Sequence, residues 1–88
     1  MSIVVVGLNH RTAPVEVREN FAYGEHAVPV ALEGLKKSGW VEEAVLLSTC
    51  NRVELYASVA GDSRMGARRL REFLGTDRRF QGDIGAVT

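Results

Sequence analysis

Several things are scarce in this 88-residue chain, and each scarcity excludes something. A single cysteine rules out an internal disulfide, and with only two histidines beside it the donor set for zinc is poor. A reducing, cytoplasmic setting is the expectation for such a thiol. An excess of charge of one sign is also missing, since 11 Lys and Arg balance 11 Asp and Glu. That balance argues against a surface that binds nucleic acid throughout, and leaves room for a local basic patch. Long apolar runs are absent as well. Ile3-Val4-Val5-Val6 is far too short to span a bilayer and has no basic leader, so a soluble, unprocessed chain with no membrane partner is expected. No repeat or low-complexity tract occurs. No glycine-rich dinucleotide fingerprint follows any strand pattern, and Gly82 and Gly85 do not form one.

What remains is the composition of a globular protein, with 45% hydrophobic and 25% charged residues. The length suits one small domain or a piece of a larger one. Ser2 to Leu8 is a β-branched run that reads as a central strand, with Gly7 marking a bulge or a close backbone approach. Asn9-His10-Arg11-Thr12 is a polar loop. Pro14 suits the start of a short helix to Asn20, closed by Phe21-Ala22-Tyr23-Gly24. A second helix begins around Ala27 or Val28, because Pro29 inside a longer one would remove a hydrogen bond. It carries Val28, Ala31, Leu32 and Leu35 on one face and stops at Ser38-Gly39. Ala44 to Thr49 reads as a buried strand. Arg52 to Val59 alternates, with Val53, Leu55, Ala57 and Val59 on one face and Arg52, Glu54, Tyr56 and Ser58 on the other.

A connection as short as Cys50-Asn51 makes these last two strands an antiparallel hairpin. Gly61-Asp62-Ser63 caps a third helix to Leu74, closed by Gly75, with Met65, Leu70, Phe73 and Leu74 as its apolar stripe. Arg64, Arg68, Arg69, Arg71, Arg78 and Arg79 read as a solvated face, with contact to RNA phosphates as the alternative. Residues 76–88 are weakly patterned, and either disorder or an edge strand over Asp83 to Val87 fits them. This order predicts an α+β fold: a small, mostly antiparallel sheet with helices on one face, a split βαβ or ferredoxin-like arrangement.

The stretch Ser48-Thr49-Cys50-Asn51-Arg52-Val53-Glu54-Leu55-Tyr56 holds the one thiol at the junction of two strands. A lone cysteine is more often a small buried hydrophobe than a catalyst. Here a fixed cation lies two residues on, and Thr49 and Asn51 add hydrogen-bonding groups, which suits a thiolate attacking a carbonyl. From the residues alone, Arg52 and Glu54 are equally well read as a surface ion pair or as a carboxylate grip with its orienting partner. His10 is read as ordering its loop, with a general-acid role beside Cys50 as the alternative. His26 is read as a surface residue.

This stretch resembles the signature of the glutamyl-tRNA reductases, and Gly7-Leu8-Asn9-His10-Arg11-Thr12-Ala13-Pro14-Val15-Glu16-Val17-Arg18-Glu19 resembles that family's amino-terminal signature. The resemblance runs from Ile3 to Tyr56 and continues weakly through the arginine-rich segment. It implies that residues 1–88 are the amino-terminal catalytic-domain portion of such an enzyme. It also implies a thiolate, Cys50, that takes the glutamyl group from glutamyl-tRNA as a thioester, which NADPH reduces to glutamate-1-semialdehyde for tetrapyrrole synthesis. Thr49, Cys50, Asn51 and Arg52 would contact the glutamyl part, with Arg52 on its carboxylate and Glu54 orienting Arg52. NADPH and a homodimer belong to the full-length family. This chain is expected to bind no cofactor and, as an excised or truncated portion, not to complete the reduction alone. A non-catalytic interaction or regulatory module, or a cysteinate haem site, are the alternatives, and neither has a motif of its own.

Overall fold

The computed structural model describes residues 2–49 and 51–88. Its middle element is the strand that alternates most cleanly in sequence. β1 (Ser2–Asn9), β2 (Val41–Ser48) and β3 (Arg52–Val59) form one sheet in the order β1-β3-β2, with β3 antiparallel to both neighbours. β1 and β2 are thus parallel to each other with β3 inserted between them, which is the split βαβ arrangement. Their connection is filled by two helices, α1 (Val15–Phe21) and α2 (Ala27–Lys37), and α3 (Ser63–Asp77) follows β3. The α+β fold with helices against an antiparallel sheet is as expected.

The core follows from the pleat. Val53, Leu55, Ala57 and Val59 of β3 are all buried, as are Val4, Val6 and Leu8 of β1 on the same face. Phe21 of α1, Ala31 and Leu35 of α2, and Leu70 and Leu74 of α3 complete this layer. No polar or charged residue is buried among the described residues, so the layer is held by apolar burial, worth roughly 25 cal/mol per Å². α3 comes close because Gly66 faces the sheet. A Cβ there would stand 2.7 Å from Val59 Cγ2 and 3.4 Å from Val4 Cγ2.

Local signals set the boundaries. Pro14 precedes α1 at an extended ψ of 167°. Gly39, at φ 89°, takes the left-handed conformation after α2 that a side chain would oppose. Asp62 caps α3, its Oδ1 accepting from the Arg64 N–H at 3.0 Å.

Four expectations change. β1 is an edge strand, not a central one: Ile3 is 77% exposed and Val5 52%. Its β-branched run satisfies strand propensity on both faces while only one face is covered, and propensity cannot distinguish the two. β2 is likewise an edge, with Val45 62% exposed, and its register shifts between Val41 and Glu43. α3 continues through Gly75 to Asp77, and Met65 lies at the solvent while Gly66 takes the inward position. Asp83 to Val87, where a strand was one reading, contains a helical turn, α4 (Ile84–Val87), capped by Asp83.

Tyr23 ties the layers together. Its N–H donates to Ser48 Oγ at 2.9 Å and its hydroxyl donates to Asp77 Oδ2 at 2.7 Å. Arg78 lies 4.7 Å from its ring centroid and donates from Nε to the Asn20 carbonyl. Burial, then the Asp77 hydrogen bond and charge, push the phenol well above its ordinary value of 10, with Arg78 opposing. Above that ordinary value the unfolded chain loses a proton that the folded chain keeps, so this contribution is present below pH 10 and falls away as pH rises beyond it. Tyr23→Phe is therefore expected to cost about 1 kcal/mol at neutral pH and to flatten the alkaline loss of stability. Urea midpoints measured at neutral pH and above pH 10 check both.

Candidate active-site cleft

Two tight turns lie side by side at one end of the sheet, because Asn9 pairs with Arg52 in the register. The first turn is closed by Asn9 and Thr12. The Asn9 carbonyl accepts from the N–H groups of Thr12 and Ala13 at 3.1 and 2.9 Å. Asn9 Oδ1 accepts from the Arg11 N–H at 2.8 Å, and the Asn9 N–H donates to Thr12 Oγ1 at 3.0 Å. Asn and Thr close such turns by substituting side-chain oxygens for backbone partners. His10 sits exposed on this turn.

The second turn joins β2 to β3. The Thr49 N–H donates to the Arg52 carbonyl at 2.8 Å, and Thr49 Oγ1 accepts from the N–H groups of Asn51 and Arg52, each at 3.2 Å. Cys50, assigned the nucleophile from the sequence, lies outside the described residues. Its two neighbours are fixed to one another by the Thr49 hydroxyl. That hydroxyl is committed to the backbone of the hairpin, a use the sequence pattern does not reveal.

The pleat of β3 places Arg52, Glu54 and Tyr56 on the face away from the helices. Arg52 Nε lies 4.0 Å from Glu54 Oε1, a long contact on a side chain that is 53% exposed. Such a pair contributes little to stability. Glu54 is more enclosed, and its Oε1 accepts from the Tyr56 hydroxyl at 2.9 Å. Gly7, opposite Glu54 in the register, makes room for it: a Cβ on Gly7 would stand 2.7 Å from the Val53 carbonyl oxygen and 3.0 Å from Glu54 Cγ. Gly7 is thus a close backbone approach, and it seats the carboxylate against the sheet. Reading from sequence missed the Tyr56 contact and this seat. The signal was a glycine one strand away from an outward-facing acid, visible only once the register is known.

Asn9, His10, Thr49, Asn51, Arg52 and Glu54 together line an open cleft of about 660 Å³. Three of the four sequence-assigned contact residues, Thr49, Asn51 and Arg52, meet there with Glu54 and His10; the fourth, Cys50, lies outside the described residues. The cleft offers a fixed cation, a carboxylate behind it, and amide and imidazole groups at its rim. Among the described residues no cluster of three His, Asp or Glu side chains is placed to hold a metal ion. No helix there is long and apolar enough to cross a membrane. The described residues do not form the glycine-turn βαβ unit that seats a dinucleotide in doubly wound folds. The β1–α1 connection has no glycine between Asn9 and Val15, and β1 and β2, the parallel strands, are separated by β3.

The Glu54 hydrogen bond, followed by its charge, raises the Tyr56 phenol above its ordinary value of 10. In a Tyr23→Phe background, where Tyr56 is the last of the two tyrosines, phenolate absorbance should titrate above 10. Glu54→Gln should bring that midpoint down, and an unchanged midpoint would show that the carboxylate does not hold the phenol.

Comparison with known proteins shows the family of the chain. The family model described as glutamyl-tRNAGlu reductase, N-terminal domain, matches residues 6–84. A glutamyl-tRNA reductase of Prochlorococcus marinus (strain MIT 9215) is 50% identical over 74 residues, which is 84% of this chain and 17% of that protein. One of Moorella thermoacetica is 47% identical over 75 residues, 85% of this chain and 17% of the relative. One of Stenotrophomonas maltophilia (strain K279a) is 58% identical over 57 residues, 65% and 13% respectively. The chain spans 17% or less of the length of these relatives. By the extent of these matches, the chain belongs to the glutamyl-tRNA reductase family, as its N-terminal domain.

Proposed function

We propose that this chain carries the acyl-transfer part of a glutamyl-tRNA reductase, with Cys50 as the nucleophile. What supports this reading is the cleft at the β2–β3 turn: Arg52, Asn51 and Thr49 flank position 50 there, in a chain of a family named for reducing glutamyl-tRNA. The thiolate of Cys50 attacks the carbonyl carbon of the glutamyl ester. A carbon–sulfur bond forms, the carbon–oxygen bond to the tRNA ribose breaks, and the ribose hydroxyl leaves with a proton. The product is a glutamyl thioester on Cys50, which accepts hydride more readily than an oxygen ester.

Arg52 receives the glutamyl carboxylate. Its guanidinium presents a planar fork of donors, and its long contact to Glu54 leaves the group half-exposed toward the cleft. Glu54, seated over Gly7 and held by Tyr56, sets the direction of that fork. Thr49 acts through the backbone, keeping the flanks of position 50 together, and Asn51 borders the substrate. Reduction of that thioester by NADPH is, in this reading, the work of the rest of a full-length reductase. The chemistry assigned to this chain is therefore the transfer to sulfur, and the chain alone is expected to release no semialdehyde when NADPH is added.

The test is a single turnover with glutamyl-tRNA carrying a labelled glutamyl group. Label should pass to the protein as tRNA is released, and Cys50→Ser should abolish the transfer. Arg52→Lys keeps the charge and loses the fork, and should raise the substrate concentration for half-maximal transfer by about tenfold or more. Label retained on the Cys50→Ser variant would refute the assignment of the nucleophile.

A further inference from the structure

The charge balance of the whole chain conceals two opposed regions. Residues 64–79 hold Arg64, Arg68, Arg69, Arg71, Arg78 and Arg79 against Glu72 and Asp77, a net +4, and the remainder is net −4. On α3 the pattern is ordered. Gly66, Leu70 and Leu74 are buried on the sheet side, while Arg64, Arg68 and Arg71 recur at i, i+4 and i+7 and share another side of the helix. Over seven residues that stripe is roughly 10 Å long.

Two of its members, Arg68 and Arg71, are held but not neutralised. Arg68 contacts Glu72 at 3.3 Å with side chains 74% and 62% exposed, a pair that a phosphate can displace at little cost. Arg71 Nε donates to Thr88 Oγ1 at 3.3 Å, and that hydroxyl donates to the Ile84 carbonyl at 2.7 Å, so the guanidinium is positioned by the residue that ends α4. Beyond the helix, Arg79 is exposed at φ 53°, a left-handed conformation uncommon for a side-chain-bearing residue. Arg71 and Arg79 both line a cavity of about 300 Å³, whose wall also includes Phe80, Gln81 and one carboxylate, that of Glu72.

The stripe also has a direction. Gly66 meets Val59 and Val4 at one end of the sheet. Asp77 bonds Tyr23, whose N–H reaches Ser48, the register partner of Val53 next to the candidate cleft. The arginines thus lead along the helix layer toward the end of the sheet that holds the cleft.

We propose that the Arg64–Arg68–Arg71 face of α3, continued by Arg79, binds the phosphate backbone of the RNA that presents the glutamyl group. This rests on the acyl-transfer reading above and adds the surface on which the RNA lies. A row of guanidinium groups matches the spaced single charges of an RNA strand. The Arg71–Arg79 cavity combines cations with an aromatic and an amide side chain, the groups that receive an unpaired nucleotide.

The experiment is equilibrium binding of uncharged, fluorescently labelled tRNA by anisotropy across a salt series. The Arg64→Gln, Arg68→Gln, Arg71→Gln triple variant should weaken binding about tenfold or more near 0.1 M salt and reduce the slope of log K against log salt by about 2. The corresponding triple lysine variant should stay within about threefold of the parent, because counterion release on binding a phosphate backbone counts charges. Arg79→Gln alone, outside the helix, should lower the slope by about 0.7 to 0.9 and covers the case of a triple variant that fails to fold. Parental affinity and slope in both the triple glutamine and the Arg79→Gln variants would overturn this surface and leave the acyl-transfer reading standing. A parent chain that binds no tRNA, or binds polyglutamate in its place, would overturn the surface and the RNA-substrate reading together.

Discussion

The period-two pleat of β3 is the constraint on which the rest of this molecule depends. Four residues of that strand, Val53, Leu55, Ala57 and Val59, are sealed into the single apolar layer, and none can move without exposing it. The residues between them have no choice of face. Arg52, Glu54 and Tyr56 must form a row on the opposite side, and a slip of one residue would put a guanidinium into the core. The position of the candidate carboxylate grip is thus fixed by apolar burial, since the 4.0 Å contact between Arg52 and Glu54 is too weak and too exposed to fix it.

From that strand the site is assembled by short-range devices. Antiparallel pairing brings Asn9 opposite Arg52, so two turns closed by Asn and Thr side chains share one end of the sheet. Gly7 lets Glu54 lie against the strand beside it. Tyr23 connects the β2 end of the hairpin to the end of α3 through Ser48 and Asp77. Each device uses groups too small or too short to reach far, and each works because the sheet has already set the distance.

Much of this was legible in the chain and some was not. The bounds of β3, its two faces, its antiparallel pairing with β2, and α2 with its Gly39 stop followed from alternation, loop length and capping chemistry. The order of strands did not, because the β-branched run of β1 satisfies strand propensity as well at an edge as in the middle. α3 overran Gly75 because a glycine stops a helix only where the chain must turn, and here the next turn still packs. Its inward face was misread at Met65 because the close approach to Val59 requires the absence of a side chain, which hydrophobicity does not signal. At the site, residue types were readable and their partners were not. Nothing in the spacing shows that Tyr56 bonds Glu54, or that Thr49 spends its hydroxyl on the turn.

The proposed acyl transfer turns on Cys50 as the nucleophile, with Arg52 two residues further along the chain. The most direct measurement is the rate at which iodoacetamide alkylates Cys50 in the native protein as a function of pH. The proposal predicts labelling without denaturant, at a rate that falls in Arg52→Gln. A thiol that reacts only after unfolding would contradict it.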